Sequence, residues 1–261
     1  MNRRQFAILS ACTVSLGPLG CRKMTADRAT AIAPVQLTLS IAASLQVVMQ
    51  SVQAAYRSEP KVAMVYNFGA SGSLAQQIVQ GAPVDIFLSA SPDWMDVLNK
   101  EGLLAEGSRR NLLKNSLVLV TPKSDSRITG FKSLEAPQTQ RIAIGEPESV
   151  PVGKYAKESL EAMNLFESLR SKLVLGKDVR QVLAYVETGS VEAGFVYATD
   201  ALTSDKVRTV ATVPDNAHSP ILYPVAAIKS SQQVETALSF MNFLGSDAAV
   251  AIFKASGFDI V

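Results

Sequence analysis

From residue 36 onward, short apolar runs of strand length alternate with longer stretches whose apolar positions recur at helical spacing. That alternation predicts a βαβα chain, an α/β fold with mainly parallel sheets. Strands are expected over 37–42, 62–68 and 85–88, with helices over about 44–57 and 71–80 between them. A helix over 94–101 follows, stopped by Gly102. The run 116–121, ending at Pro122, opens a second set: strands over 141–144 and 193–197 and helices over about 153–163 and 179–187. Strands over 208–213 and 222–228 and helical patterns over about 233–243 and 247–256 complete the chain. No repeat or Pro/Gly-rich linker divides the body, which fits two lobes joined by strands better than separate beads.

The N-terminus breaks this pattern. Arg3 and Arg4 precede an uncharged, mostly apolar stretch over 6–20 and then Cys21, which together form an export signal over 1–21. Arg3-Arg4-Gln5-Phe6 resembles a twin-arginine signal, with Sec export as the other route. Leu19-Gly20-Cys21 resembles a lipoprotein cleavage site, so that Cys21 would carry lipid and residues 22–35 would tether it to the folded body. Cys12 would leave with the signal, so the mature chain has no disulfide to form.

Composition narrows the function classes. The 261 residues and 48% hydrophobic content can build two modest lobes. Charge is spread, with 25 basic and 23 acidic residues, a formal +2 and no run of like sign, which argues against a nucleic-acid face. Beyond residue 21 no apolar stretch approaches the roughly 20 residues that span a bilayer.

Two places then share one physical logic: a strand ends, small residues and a Ser follow, and a helix begins. They are Ala42-Ala43-Ser44 and Gly69-Ala70-Ser71-Gly72-Ser73. Helix starts leave backbone N–H groups unpaired and carry partial positive charge, so they attract anions, and glycine lets the backbone approach a ligand. Each Ser can equally be a plain N-cap. Their strands would be parallel neighbours opening on the carboxyl edge of one sheet, where α/β folds bind ligands. Further candidates are the loop 145–153 leading into a helix, Asp178-Val179-Arg180 at another helix start, and Tyr197 at a strand end.

These residues resemble the periplasmic molybdate-binding proteins of ABC importers. The likeness rests on Ala42-Ala43-Ser44-Leu45, Phe68-Gly69-Ala70-Ser71-Gly72-Ser73-Leu74-Ala75, the run 81–90 and Trp94-Met95. It continues through Asn115-Ser116-Leu117-Val118, Gly145-Glu146-Pro147, the run 150–156, Asp178-Val179-Arg180, the run 196–201 and Tyr223-Pro224-Val225. The resemblance implies a two-lobed type II periplasmic-binding fold, with lobe one at 36–115 plus 225–261 and lobe two at 116–224. The lobes are joined by two crossing strands, expected at 116–121 and 222–228. It further implies that molybdate or tungstate is held by the hydroxyls of Ser44, Ser71 and Tyr197 and the backbone amides of Val152 and Val179, with no Lys or Arg on the ion. Partners would be an ABC permease and its ATPase, the location periplasmic or lipid-anchored outside the membrane, and the chain a monomer without cofactor. Val152 replaces a smaller residue of the family, which a backbone donor tolerates. Gly72 stands where many members have Ser, removing one auxiliary hydroxyl.

Two other readings compete. One is a carrier of the same fold for another oxyanion such as sulfate. The other is a serine hydrolase at Gly69-Ala70-Ser71-Gly72-Ser73, an incomplete nucleophile elbow whose only candidate base is His218. No P-loop, dinucleotide fingerprint or metal-ligand cluster is present in the sequence.

Overall fold

A computed structural model describes residues 35–58, 61–125 and 127–261. The signal segment with Cys12 and Cys21, and the tether up to residue 34, lie outside these residues.

In chain order the first elements are β1 (Val35–Ala42), a 3-10 turn (Ala43–Leu45), α1 (Gln46–Ala55), β2 (Val62–Gly69), α2 (Ser71–Val79), β3 (Ile86–Leu88), α3 (Pro92–Lys100) and β4 (Arg110–Lys114). Then come β5 (Leu117–Pro122), β6 (Ile142–Gly145), α4 (Pro151–Ala162), α5 (Phe166–Leu169), β7 (Leu173–Gly176), α6 (Val179–Glu187), β8 (Ala193–Tyr197), α7 (Ala198–Leu202) and β9 (Val207–Thr212). The last are β10 (Leu222–Ala227), α8 (Val234–Leu244), α9 (Asp247–Ala255) and β11 (Asp259–Ile260).

The strands form two sheets, one in the order β11-β4-β10-β3-β1-β2 and the other β7-β6-β8-β5-β9. In the first, β2, β1, β3 and β4 run one way, while β10, between β3 and β4, and the outer β11 run the other way. In the second, β7, β6 and β8 are parallel and β5 is antiparallel to both its neighbours. Each sheet is therefore mixed, not mainly parallel as the sequence pattern suggested. The reason is topological: β5 and β10 reach their sheets from the opposite one, so neither is constrained by a helical crossover to run parallel. The strands 116–121 and 222–228, expected to cross, each lie in one sheet. The passages are the residues just before them, pinned by Asn115 N–H to Ile221 O at 3.3 Å and Val213 N–H to Leu117 O at 2.9 Å.

Burial follows strand position. Leu37, Leu39 and Ile41 of β1 and Ile142, Ala143 and Ile144 of β6, which have helices on both faces, are wholly buried. Edge strand β2 instead alternates between half-buried and exposed positions. Among the described residues no single helix is long and apolar enough to cross a membrane.

Candidate oxyanion site

The register of the parallel strands sets the site. Ala42 pairs with Gly69 at the carboxyl ends of β1 and β2, so the 3-10 turn carrying Ser44 and the start of α2 carrying Ser71 open side by side. Gly145 pairs with Gly176 at the ends of β6 and β7 in the other sheet, which brings the starts of α4 and α6 together. Glycine is required there because a side chain on Gly145 would meet Val150 at 2.6 Å, and one on Gly153 would enter the Gly145 carbonyl.

These four helix starts face one cavity. Ala42, Ala43, Ser44, Gly69, Ala70, Ser71 and Ala90 line it from the first sheet, and Val150, Pro151, Val152, Asp178, Val179 and Tyr197 from the second. All five residues singled out as oxyanion ligands are thus brought together. The cavity is small, on the scale of a small polyatomic ion and not of a drug-sized ligand.

The chemistry of the lining is almost entirely that of neutral donors. Neither Ser caps its helix: the cap positions are Ala42 and Ala70, and no side-chain cap bond forms at either. Ser71 Oγ, fully buried, accepts from the Ala90 amide across the sheet edge at 2.9 Å. Ser44 Oγ lies 3.0 Å from the Tyr223 hydroxyl. Val152 and Val179 are the second residue of α4 and the first of α6, positions whose amides have no intrahelical acceptor. Asp178 caps α6 through the Gln181 amide at 2.9 Å, which leaves the Val179 amide to the cavity. Tyr197, 1% exposed, has a hydroxyl with no hydrogen-bond partner. Burial pushes its phenol well above the ordinary value, so it stays protonated and able to donate.

No Lys or Arg lines the cavity. Arg180 turns aside, with Nη1 donating to Thr203 Oγ1 at 2.9 Å and standing 3.5 Å from Asp200 Oδ1. Asp200 is buried, and burial pushes its carboxyl up from 3.8 to about 7 although the Arg180 guanidinium pulls the other way. His218 is not coupled to Ser71: its Nδ1 is 2.8 Å from Ser219 O and its ring packs on Tyr155 at 5.8 Å.

Direct contacts hold the two sides shut over the cavity. Gly72 N–H donates to Ser149 O at 3.0 Å, Tyr155 Oη donates to Ala90 O at 3.3 Å, and Lys154 pairs with Asp93. The place a side chain at 72 would take is filled by Ser149 O at 2.5 Å and the Trp94 ring at 2.6 Å.

A family model described as bacterial extracellular solute-binding protein matches residues 37–259. The chain belongs to that family. It is 40% identical over 260 residues to YvgL of Bacillus subtilis, provisionally named an ABC transporter substrate-binding lipoprotein, covering 99% of both chains. It is 38% identical to the molybdate-binding protein ModA of Escherichia coli, covering 86% of this chain and 89% of that one. Among solved structures, it superposes with a TM-score of 0.68 and 44% identity on the substrate binding domain of a provisionally named molybdenum ABC transporter from Clostridium difficile. That match covers 87% of this chain and 99% of the other. The resemblance read from the sequence and the two-lobed type II periplasmic-binding fold it implied are both found.

Proposed function

We propose that this chain captures molybdate outside the cytoplasm and delivers it to the permease and ATPase of an ABC importer, with tungstate as an equivalent ligand. The observation that carries the reading is the unpartnered, buried Tyr197 hydroxyl in a cavity that Ser44, Ser71 and the helix starts at Val152 and Val179 also line. A dianion satisfies every one of those donors, and neutral donors spare the cost of burying a cationic side chain. Ser44 and Ser71 would hold the ion from one lobe, and Val152 N–H, Val179 N–H and Tyr197 from the other. We take these lobes as 36–115 plus 225–261 and 116–224. Ligand would then bridge the cleft and favour its closed form, which a permease can read.

It would act as a monomeric carrier and not as an enzyme; the hydrolase reading gains no support, because Ser71 Oγ accepts from the Ala90 amide and His218 Nδ1 lies against Ser219 O. Cys21 would anchor it by lipid; mass spectrometry of the mature N-terminus tests this, and an unlipidated start near Ala33 would refute it.

The functional test is thermal unfolding of the mature body with molybdate, tungstate, sulfate and phosphate at equal excess. A ligand at 1,000 times its Kd adds about 4.1 kcal/mol. Molybdate and tungstate should raise Tm, and the double substitution Ser44→Ala, Ser71→Ala should abolish the rise while the protein stays folded. A rise with sulfate alone, or an undiminished rise in the double variant, would overturn the assignment.

A further inference from the structure

Ser44 is not an isolated hydroxyl. It ends a chain of hydrogen bonds that begins where the backbone passes between the sheets. The Ser116 amide donates to Asn115 Oδ1 at 2.9 Å, which fixes the side-chain amide and turns Nδ2 toward Thr199 Oγ1 at 2.8 Å and Tyr223 Oη at 3.2 Å. An amide NH₂ only donates, so the Tyr223 oxygen must accept. Tyr223 is fully buried, and the other hydrogen-bond partner of its hydroxyl is Ser44 Oγ at 3.0 Å. A buried hydroxyl proton is left without a partner unless it goes there. Ser44 Oγ therefore accepts from the protein side, and its own proton is left for the cavity. Ser71 has the same polarity, because the Ala90 amide already donates to its Oγ.

We propose that Asn115 and Tyr223 are positioning residues that direct the Ser44 proton into the cavity, and that this fixed polarity selects oxyanions carrying no proton. The inference rests on the oxyanion-binding reading above and adds its specificity device. A protonated oxyanion needs an acceptor, and the relay turns Ser44 away from that role. Asn115 stands at the passage between the sheets and Thr199 on α7, so the relay also ties the Ser44 hydroxyl to that passage.

The test is a thermodynamic cycle measured by titration calorimetry at pH 7 on wild type, Tyr223→Phe, Ser44→Ala and the double variant, with molybdate and with phosphate, which keeps a proton at that pH. Tyr223→Phe should weaken molybdate by about tenfold or more and narrow the preference for molybdate over phosphate. In the Ser44→Ala background the same substitution should change molybdate affinity by no more than about twofold, since coupled sites are non-additive. An equal loss in both backgrounds, or an unchanged preference, would overturn the relay. If Tyr223→Phe does not fold, Asn115→Asp replaces it. Its carboxylate would take the Tyr223 proton and turn Ser44 back toward Tyr223, so its molybdate loss should shrink in the Ser44→Ala background, and an undiminished loss would overturn the relay. Wild type that binds neither molybdate nor any other oxyanion would overturn the functional reading itself, and with it the relay.

Discussion

Gly72→Ala should weaken closure of the cleft. The added Cβ would sit 2.5 Å from Ser149 O, and contacts below 3.0 Å do not occur, so the two sides must part by at least about 0.5 Å. Parting by that amount lengthens the 3.0 Å bond from Gly72 N–H to Ser149 O beyond useful range, at about 1 kcal/mol. It also shifts the Val152 and Val179 amides relative to Ser44 and Ser71; one weakened bond to a charged ligand costs about 1.5–3 kcal/mol. The sum, about 2.5–4 kcal/mol, is a loss of about 60- to 700-fold in molybdate affinity. Without ligand a cost remains, because the same Cβ would also sit 2.6 Å from the Trp94 ring, which must shift whether or not the cleft is closed. The apo Tm should therefore fall modestly, by about 2–4 °C for each kcal/mol lost. Titration calorimetry on the folded variant decides the matter, with apo melting as the check on folding: an affinity within threefold of wild type would show that the Gly72–Ser149 contact does not govern closure.

Three further outcomes are expected. Tyr197→Phe should weaken molybdate by about 10- to 150-fold, the value of a hydrogen bond to a charged group, without lowering apo Tm, because the hydroxyl has no protein partner to lose; calorimetry and melting check both. Gly153→Ala should displace the start of α4 from the Gly145 carbonyl and with it the Val152 amide, lowering both apo Tm and affinity; an apo Tm equal to wild type would refute the close approach. Asp200, ordinarily 3.8, titrates near 7 in the fold, so between those values the unfolded chain is ionised while the folded one holds its proton. Apo stability should therefore fall as pH rises from about 4 to about 7 and level off above. Asp200→Asn should flatten that part of the Tm profile, and an unaltered profile would refute the assignment.

What the sequence revealed tracks how local each signal is. The helix start at Ser71 and the whole of α6 were legible because small residues or an Asp cap precede a periodic apolar face, and these cues lie within one turn. Strands β4, β7 and β11 were not anticipated. Each is short, and the outer β7 and β11 show only partial burial, so they lack the apolar run that marks a central strand. Helix α4 starts at Pro151, two residues before the expected Gly153, since Pro is suited to the first helical position. Asn115 and Tyr223 stood in the family-like motifs but had no assigned role. The bond from Ser44 to Tyr223 joins residues 179 apart and the one from Asn115 to Tyr223 residues 108 apart, separations at which no local pattern speaks. Burial of Asp200 beneath Arg180 was equally invisible, because the two come from different helices.

The position of β10 has a consequence for the order in which the molecule can be assembled. It lies between β3 and β4, and the terminal β11 closes the outer side of β4. All five strands of the second sheet come from one uninterrupted stretch, residues 117–212, and can pair before the chain beyond residue 212 exists. The first sheet cannot: until residues 222–227 emerge, β1, β2 and β3 have no bridge to β4, and Ser44 has no Tyr223 beside it. Synthesis from the N-terminus thus completes the half that carries Val152, Val179 and Tyr197 before the half that carries Ser44 and Ser71. The cavity between the two sheets comes into being only with the last few dozen residues, so a chain truncated before residue 222 would lack it.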